Sequence, residues 1–275
     1  ANEKSVPLFG AFTGAGVLRQ VPPDRYIINY RASYAEETAA MVNGLLAAGI
    51  KPNEIAFFTQ NDGYGDAGYN GAIKALQKAG FNNDVELSHG RYTRNTLNIE
   101  DALVTILDSE IEPKAIIMVG AYGPCAKFIK LAKEDFPDAL FLNVSFVGSV
   151  ALKEALGPDN SDGVIITQVV PHYEADLSAV KEYQADIKHF DSSANFGFAS
   201  LEGYLAAKVF VEGLKKADGD INSETIVDGL EKLNNLDIGI GTPISYSRKE
   251  HQASHKIWPT MIQNNAFISF EWNEL

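Results

Sequence analysis

Short apolar, β-rich runs alternate with longer amphipathic stretches as far as Pro171, and that alternation constrains the fold more than any other feature of the chain. The apolar runs cover residues 6–9, 26–30, 54–59, 84–88, 115–119, 140–144 and 163–169, each ending in turn residues. Between them, residues 35–48, 69–79, 99–107, 126–135 and 177–189 place apolar side chains three and four apart, the period of a helix with one buried face. Strands separated by helices pair in parallel, because the crossover returns the chain to the same end of the sheet. The fold class is therefore α/β, with helices covering mostly parallel sheets. Gly49, Gly80 and the Asp135-Phe136-Pro137 step supply helix stops.

Beyond Pro171 the alternation ends. Residues 198–216 and 223–233 read as two long helices followed by a stretch of mixed character, so the chain changes lobe there. A length of 275 residues also exceeds the usual size of one core. The tail alternates over residues 257–262 and 266–270 around Asn264-Asn265, a pair suited to a tight hairpin turn. The longest apolar runs, 115–119 and 163–166, fall far short of the roughly 20 residues that span a bilayer. Asp and Glu outnumber Lys and Arg by 36 to 23, a net charge of -13 that repels phosphate backbones and anionic lipids and argues against nucleic-acid partners. One cysteine, Cys125, excludes an internal disulfide and a Cys-rich metal site. Ala1-Asn2-Glu3-Lys4 carries no apolar signal region, which fits a processed chain or a beginning that lies upstream.

Two constellations invite an enzymatic reading. Gly10-Ala11-Phe12-Thr13-Gly14-Ala15-Gly16 follows the first apolar run and approaches a dinucleotide-binding turn, and Tyr204 with Lys208, preceded by Ser192, imitates the set used by short-chain dehydrogenases. A pyrophosphate needs a helix directly behind the glycines, yet Pro22-Pro23 follow within a few residues, leaving room for about one helical turn. The next strand also ends at Tyr30-Arg31 rather than at the carboxylate that a ribose hydroxyl requires. Tyr204 and Lys208 are better read as one face of a helix. His251 and His255 stand four apart without a third ligand at a recognisable spacing, and none of His89, His172 and His189 lies in a nucleophile motif. No cofactor and no catalytic residue is expected, so the dehydrogenase remains a distant alternative.

A different resemblance covers essentially the whole chain. Residues 6–15 (VPLFGAFTGA), residues 26–34 (YIINYRASY), Asn61-Asp62-Gly63-Tyr64-Gly65-Asp66-Ala67-Gly68, Gly120-Ala121-Tyr122, residues 143–149 (NVSFVGS), Gln168-Val169-Val170-Pro171 and His251-Gln252-Ala253-Ser254 resemble, in order, the type I periplasmic solute-binding proteins of the branched-chain amino acid group. That resemblance implies two Rossmann-like lobes joined by a hinge, an extracytoplasmic (periplasmic) location, an amino acid or small carboxylate bound between the lobes, and delivery to an ABC transporter permease. The same module also serves as the ligand-sensing domain of membrane signalling proteins. The resemblance places residues 1–33 and 172–255 in lobe one and residues 34–171 and 256–275 in lobe two. It also implies that the first lobe is incomplete, with roughly a hundred residues of the family preceding Ala1, about the size of a few βαβ units.

By the same resemblance, Ala11 and Thr13 grip a ligand carboxylate through a backbone amide and a hydroxyl, a pairing that suits an anion. Tyr64 and Tyr122 offer flat apolar faces with polar tips, and Ser145 completes the expected set, with Phe12, Asp62, Ala121 and Phe146 behind them. Ser145 stands where the amino-acid binders place a glutamate for the ligand ammonium. Either Asp62 or another acid takes over that charge, or the ligand carries no amine.

Overall fold

All five residues of the run 115–119 are buried, as a strand covered on both faces by helices requires. The computed structural model describes residues 1–81 and 87–275. Along the chain the elements are β1 (Leu8–Phe9), β2 (Ile27–Ile28), α1 (Tyr34–Ala47), β3 (Ile55–Gln60), α2 (Gly63–Lys78), β4 (His89–Tyr92), α3 (Glu100–Leu107) and β5 (Ala115–Val119). They continue with α4 (Tyr122–Asp135), β6 (Leu140–Asn143), α5 (Ser149–Leu156), α6 (Pro158–Ser161), β7 (Ile165–Gln168), α7 (Ser178–Phe190), α8 (Phe198–Lys215), α9 (Ser223–Glu231), β8 (Trp258–Gln263) and β9 (Ala266–Ser269). They sort into two units, Ala1–Ser33 with Val169–Lys256 and Tyr34–Gln168 with Ile257–Leu275.

The second unit is built on a seven-stranded sheet in the order β4-β3-β5-β6-β7-β8-β9. Strands β4, β3, β5, β6 and β7 run parallel, and β8 and β9 close the edge antiparallel. Ile55 and Phe57 of β3, Ile117 and Val119 of β5 and Leu142 of β6 meet Met41, Val42 and Leu45 of α1 and Ala72 and Leu76 of α2 in one core. Asn264 and Asn265 sit at φ 50 and 62°, the double left-handed turn that joins a tight hairpin. In the first unit β1 and β2 pair in parallel, Asn29 bridges to Gln252, and α7, α8 and α9 supply the helices.

Several elements depart from the periodicity. Helix α2 starts at Gly63 rather than at residue 69, because Asp62 accepts hydrogen bonds from the Tyr64 and Gly65 amides and so caps a segment too rich in glycine to show an apolar period. Strand β4, His-Gly-Arg-Tyr, carries no apolar run and buries only alternate residues, the pattern of an edge strand. The strand expected at 84–88 falls largely outside the described residues. Helices α5 and α6 were not legible, since Gly148 and Gly157 break the apolar period before one repeat is complete.

Candidate functional site

Open parallel sheets present ligand-binding groups at the carboxyl ends of their strands, and in each unit the expected residues occupy such ends. After β1, the Thr13 amide donates to the Ala11 carbonyl at 2.7 Å, and the Thr13 hydroxyl accepts from the Ala15 amide at 3.2 Å. Arg19 ties this turn down. Its guanidinium donates to the carbonyls of Ala15 (3.0 Å), Thr13 (3.2 Å) and Arg31 (2.9 Å) and to the Gln252 amide oxygen (2.6 Å). Phe12 is 51% exposed, and its ring lies 5.0 Å from the guanidinium carbon of Arg31, a cation–π contact. Arg31 itself is buried and pairs with Glu202 at 3.5 Å. The glycine-rich turn leads into a single 3-10 turn, Gly16–Leu18, so no helix N-terminus stands where a pyrophosphate would need one.

In the second unit β3, β5 and β6 lie side by side, and their terminal turns bring most of the expected residues together. The Tyr64 ring lies 4.7 Å from that of Tyr34 and 5.3 Å from that of Phe146, and Tyr34 and Phe146 are 5.7 Å apart, a three-ring cluster in tilted and edge-on geometry. The Tyr64 hydroxyl donates to the Gly120 carbonyl at 3.3 Å, which joins the turn after β3 to the turn after β5. A second link runs through Tyr92. The Ala121 amide donates to the Tyr92 hydroxyl at 2.9 Å, that hydroxyl donates to the Gln60 amide oxygen at 2.9 Å, and the Gln60 amide nitrogen donates to Asp62 at 2.7 Å. Asp62 is thus a helix cap and the end of a relay, with Arg94 at 3.7 Å. Tyr122 opens α4 and is 50% exposed, outside the three-ring cluster.

Ser145 starts a 3-10 turn behind β6. Its amide donates to Glu37 Oε2 at 2.7 Å and its hydroxyl to Glu37 Oε1 at 3.0 Å, while Thr167 donates to Oε2 at 2.7 Å. Glu37, in the first turn of α1, is fully buried. Burial, with Tyr34, Cys125 and Glu37 nearby, holds the Tyr64 phenol well above its ordinary value, and burial raises Tyr92 and Cys125 likewise. These groups therefore act as neutral hydroxyls and a thiol. Tyr34, Glu37, Gln60, Tyr92 and Thr167 were not singled out from the sequence. Only the pairing of Tyr34 and Glu37 three apart at a helix start offered a signal.

The dehydrogenase-like pair is engaged elsewhere. The Tyr204 hydroxyl donates to Asp186 at 2.7 Å and Lys208 pairs with Glu182. His251 Nε2 meets Glu231 at 3.1 Å and His255 Nδ1 meets Gln252 at 2.9 Å, both outside any helix. Among the described residues no group of three or more His, Cys, Asp or Glu side chains converges to hold a metal, and no helix is long and apolar enough to cross a membrane.

The profile of a family described as periplasmic binding protein matches residues 1–266. A possible leucine/isoleucine/valine-binding protein from Rhodopirellula baltica SH 1 is 46% identical, with a TM-score of 0.92 over 99% of this chain and 73% of its own. A branched-chain amino acid ABC transporter protein from Thermus thermophilus with bound valine has a TM-score of 0.78 at 18% identity, over 98% of this chain and 72% of its own. A fatty acid ABC transporter substrate-binding protein from Thermomonospora curvata has a TM-score of 0.79 at 19% identity, over 95% and 67%. These last two share the fold. No curated protein matches the sequence.

Proposed function

We propose, from the premise that this chain belongs to the periplasmic binding protein family, that it binds an amino acid or small carboxylate outside the cytoplasm, hands it to an ABC transporter permease, and catalyses nothing. The carrying observation is the convergence of Tyr64, Phe146 and Ser145 at the carboxyl ends of β3 and β6, the parallel strands on either side of β5, with aromatic faces beside a hydrogen-bonding serine. Such a set recognises a small solute by shape and polarity, and Tyr64 is held as a neutral hydroxyl. The 46% identical relative, named as a possible leucine/isoleucine/valine binder, supports the same ligand class. In this reading Ala11 and Thr13 supply the first unit's contacts and Phe12 the apolar face beside them. Tyr64, Tyr122, Ala121, Ser145 and Phe146 supply the second unit's, and Asp62 acts by holding the start of α2.

A thermal-shift screen of amino acids, aliphatic and aromatic acids and NAD(H) tests this. A ligand at 100 times its Kd should add about 2.7 kcal/mol of stability. Stabilisation by NAD(H) alone would defeat the proposal. With the ligand found, Thr13→Ala and Tyr64→Ala should each weaken binding by about 1–3 kcal/mol in calorimetric titration, and unchanged affinity in both variants would remove these residues from the site.

A further inference from the structure

The peptide between Gly120 and Ala121 is held at both ends. Its carbonyl accepts from the Tyr64 hydroxyl at 3.3 Å and its N–H donates to the Tyr92 hydroxyl at 2.9 Å, so its plane cannot turn without breaking both bonds. The two anchors are themselves joined. Tyr92 has one hydroxyl proton, and because an N–H already faces its oxygen, that proton goes to the Gln60 side-chain oxygen at 2.9 Å. The Gln60 amide nitrogen then donates to Asp62 Oδ2 at 2.7 Å, and Asp62 Oδ1 accepts from the Tyr64 amide at 3.0 Å. A carboxylate only accepts, which fixes the orientation of the Gln60 amide as well. The circuit thereby closes, from Ala121 through Tyr92, Gln60 and Asp62 to Tyr64 and back to Gly120. Gln60, Tyr92 and Gly120 are buried, whereas Ala121 and Tyr122, which the circuit carries, are exposed.

We propose that Gln60 and Tyr92 are positioning residues for ligand binding, because the circuit they close sets the 120–121 peptide and the start of α2 in their ligand-bearing orientation before the ligand arrives. The inference rests on the reading of Tyr64, Ala121 and Tyr122 as ligand contacts, and Gln60 and Tyr92 act through those residues. Gln60 is the central link, since it accepts from Tyr92 and donates to the cap of α2 at once. Ordering a loose turn subtracts from binding energy, and a turn already fixed avoids that cost. A circuit opened so far that the competent orientation holds about a tenth of the time would raise the apparent Kd about tenfold.

Gln60→Glu tests the direction of these bonds. The introduced carboxylate still accepts from Tyr92 but, when ionised, repels Asp62 instead of donating to it. Two carboxyl groups sharing a proton at about pH 5 restore the link, and both are ionised by about pH 8. Arg94, 3.7 Å from Asp62, is the cation facing this pair, while Arg91 donates to the Gln60 backbone carbonyl and pairs with Asp66. L-leucine and 4-methylpentanoate are titrated calorimetrically into the 275-residue chain and its variants. The Kd of Gln60→Glu divided by that of the unaltered protein should be close to one near pH 5 and about tenfold near pH 8, whereas loosened packing would shift it equally at both. Tyr92→Phe carries the test if Gln60→Glu does not fold. It should raise the Kd and, without ligand, speed hydrogen exchange at the Ala121 amide about tenfold. A ratio independent of pH would overturn the role of Gln60. Unchanged Ala121 exchange in Tyr92→Phe would refute the circuit itself, and faster exchange with an unchanged Kd would refute its role in binding while leaving the ligand reading intact. Binding of neither probe by the unaltered protein would overturn that reading, and the inference with it.

Discussion

Tyr92 shows how a residue with no signal in the sequence arranges those that have one. Its hydroxyl accepts from Ala121 and donates to Gln60, and its ring stacks on Phe58 at 5.2 Å. Removing the hydroxyl alone leaves the Ala121 amide and the Gln60 side-chain oxygen without that partner. Tyr92→Phe should therefore cost about 1–3 kcal/mol in urea unfolding, an effect absent if water replaces the hydroxyl. His89 makes a pH-dependent contribution. It stacks on Tyr69 at 4.0 Å and bonds Thr59 at 2.7 Å, and burial, aided by Arg91, lowers its pKa from 6.5 to about 4. The folded state thus resists a proton that the unfolded state accepts, so this contribution is complete above pH 6.5 and is lost as pH falls toward 4. Stability should fall across that window, and His89→Gln should flatten the slope. An NMR titration of His89 with a midpoint at its ordinary value would refute this. The strand-end positions of Tyr64, Ser145 and Tyr122 were readable from the sequence because these residues sit in recognisable turns. Tyr92 and Glu37 were not, because they meet those turns from strands and helices remote along the chain.

Among the elements, α1 and α2 pack more closely than ordinary side chains allow. Gly65, Gly68 and Gly71 line one face of α2 at helical spacing, and Thr38 of α1 donates to the Gly68 carbonyl at 2.8 Å. A Cβ on Gly71 would lie 2.4 Å from the Ala35 Cα, and one on Gly68 would lie 2.5 Å from Val119. Backbone cannot yield as a side-chain tip does. Gly71→Ala should therefore destabilise the protein by about 1–3 kcal/mol, while Gly63→Ala, which meets nothing within 4 Å, should be close to neutral. Equal unfolding midpoints for the two variants would remove the close-packing argument. The same glycines hid the start of α2 from a periodicity reading, because close approach requires residues that carry no apolar signal.

At the scale of the whole molecule, the sheet of the second unit is completed by chain that returns from far along the sequence. Strand β8 pairs with β7 through Ile165 opposite Met261 and Ile166 opposite Thr260, and Phe270 joins the core of α1 and β3. Trp272 fills the space where a Cβ on Gly44 would stand, at 2.1 Å. A chain ending at residue 256 would leave β7 as an open edge beside an uncovered apolar face. That truncation should bind a hydrophobic dye strongly and lose cooperative unfolding. Cooperative unfolding at an unchanged urea midpoint would show that the tail is dispensable.

The sequence by itself determined the fold class, the mostly parallel pairing of the buried strands and the terminal hairpin, because apolar period and turn chemistry are local properties of adjacent residues. It also placed Ala11, Thr13, Tyr64, Tyr122 and Ser145 at strand ends, where α/β folds carry their ligands. Only the tertiary structure decided that Tyr92 links two turns and that Ser145 gives its proton to Glu37. Ser145 and Glu37 meet across 108 residues of chain, and Tyr92 meets Ala121 and Gln60 across 29 and 32, and no local pattern encodes such meetings.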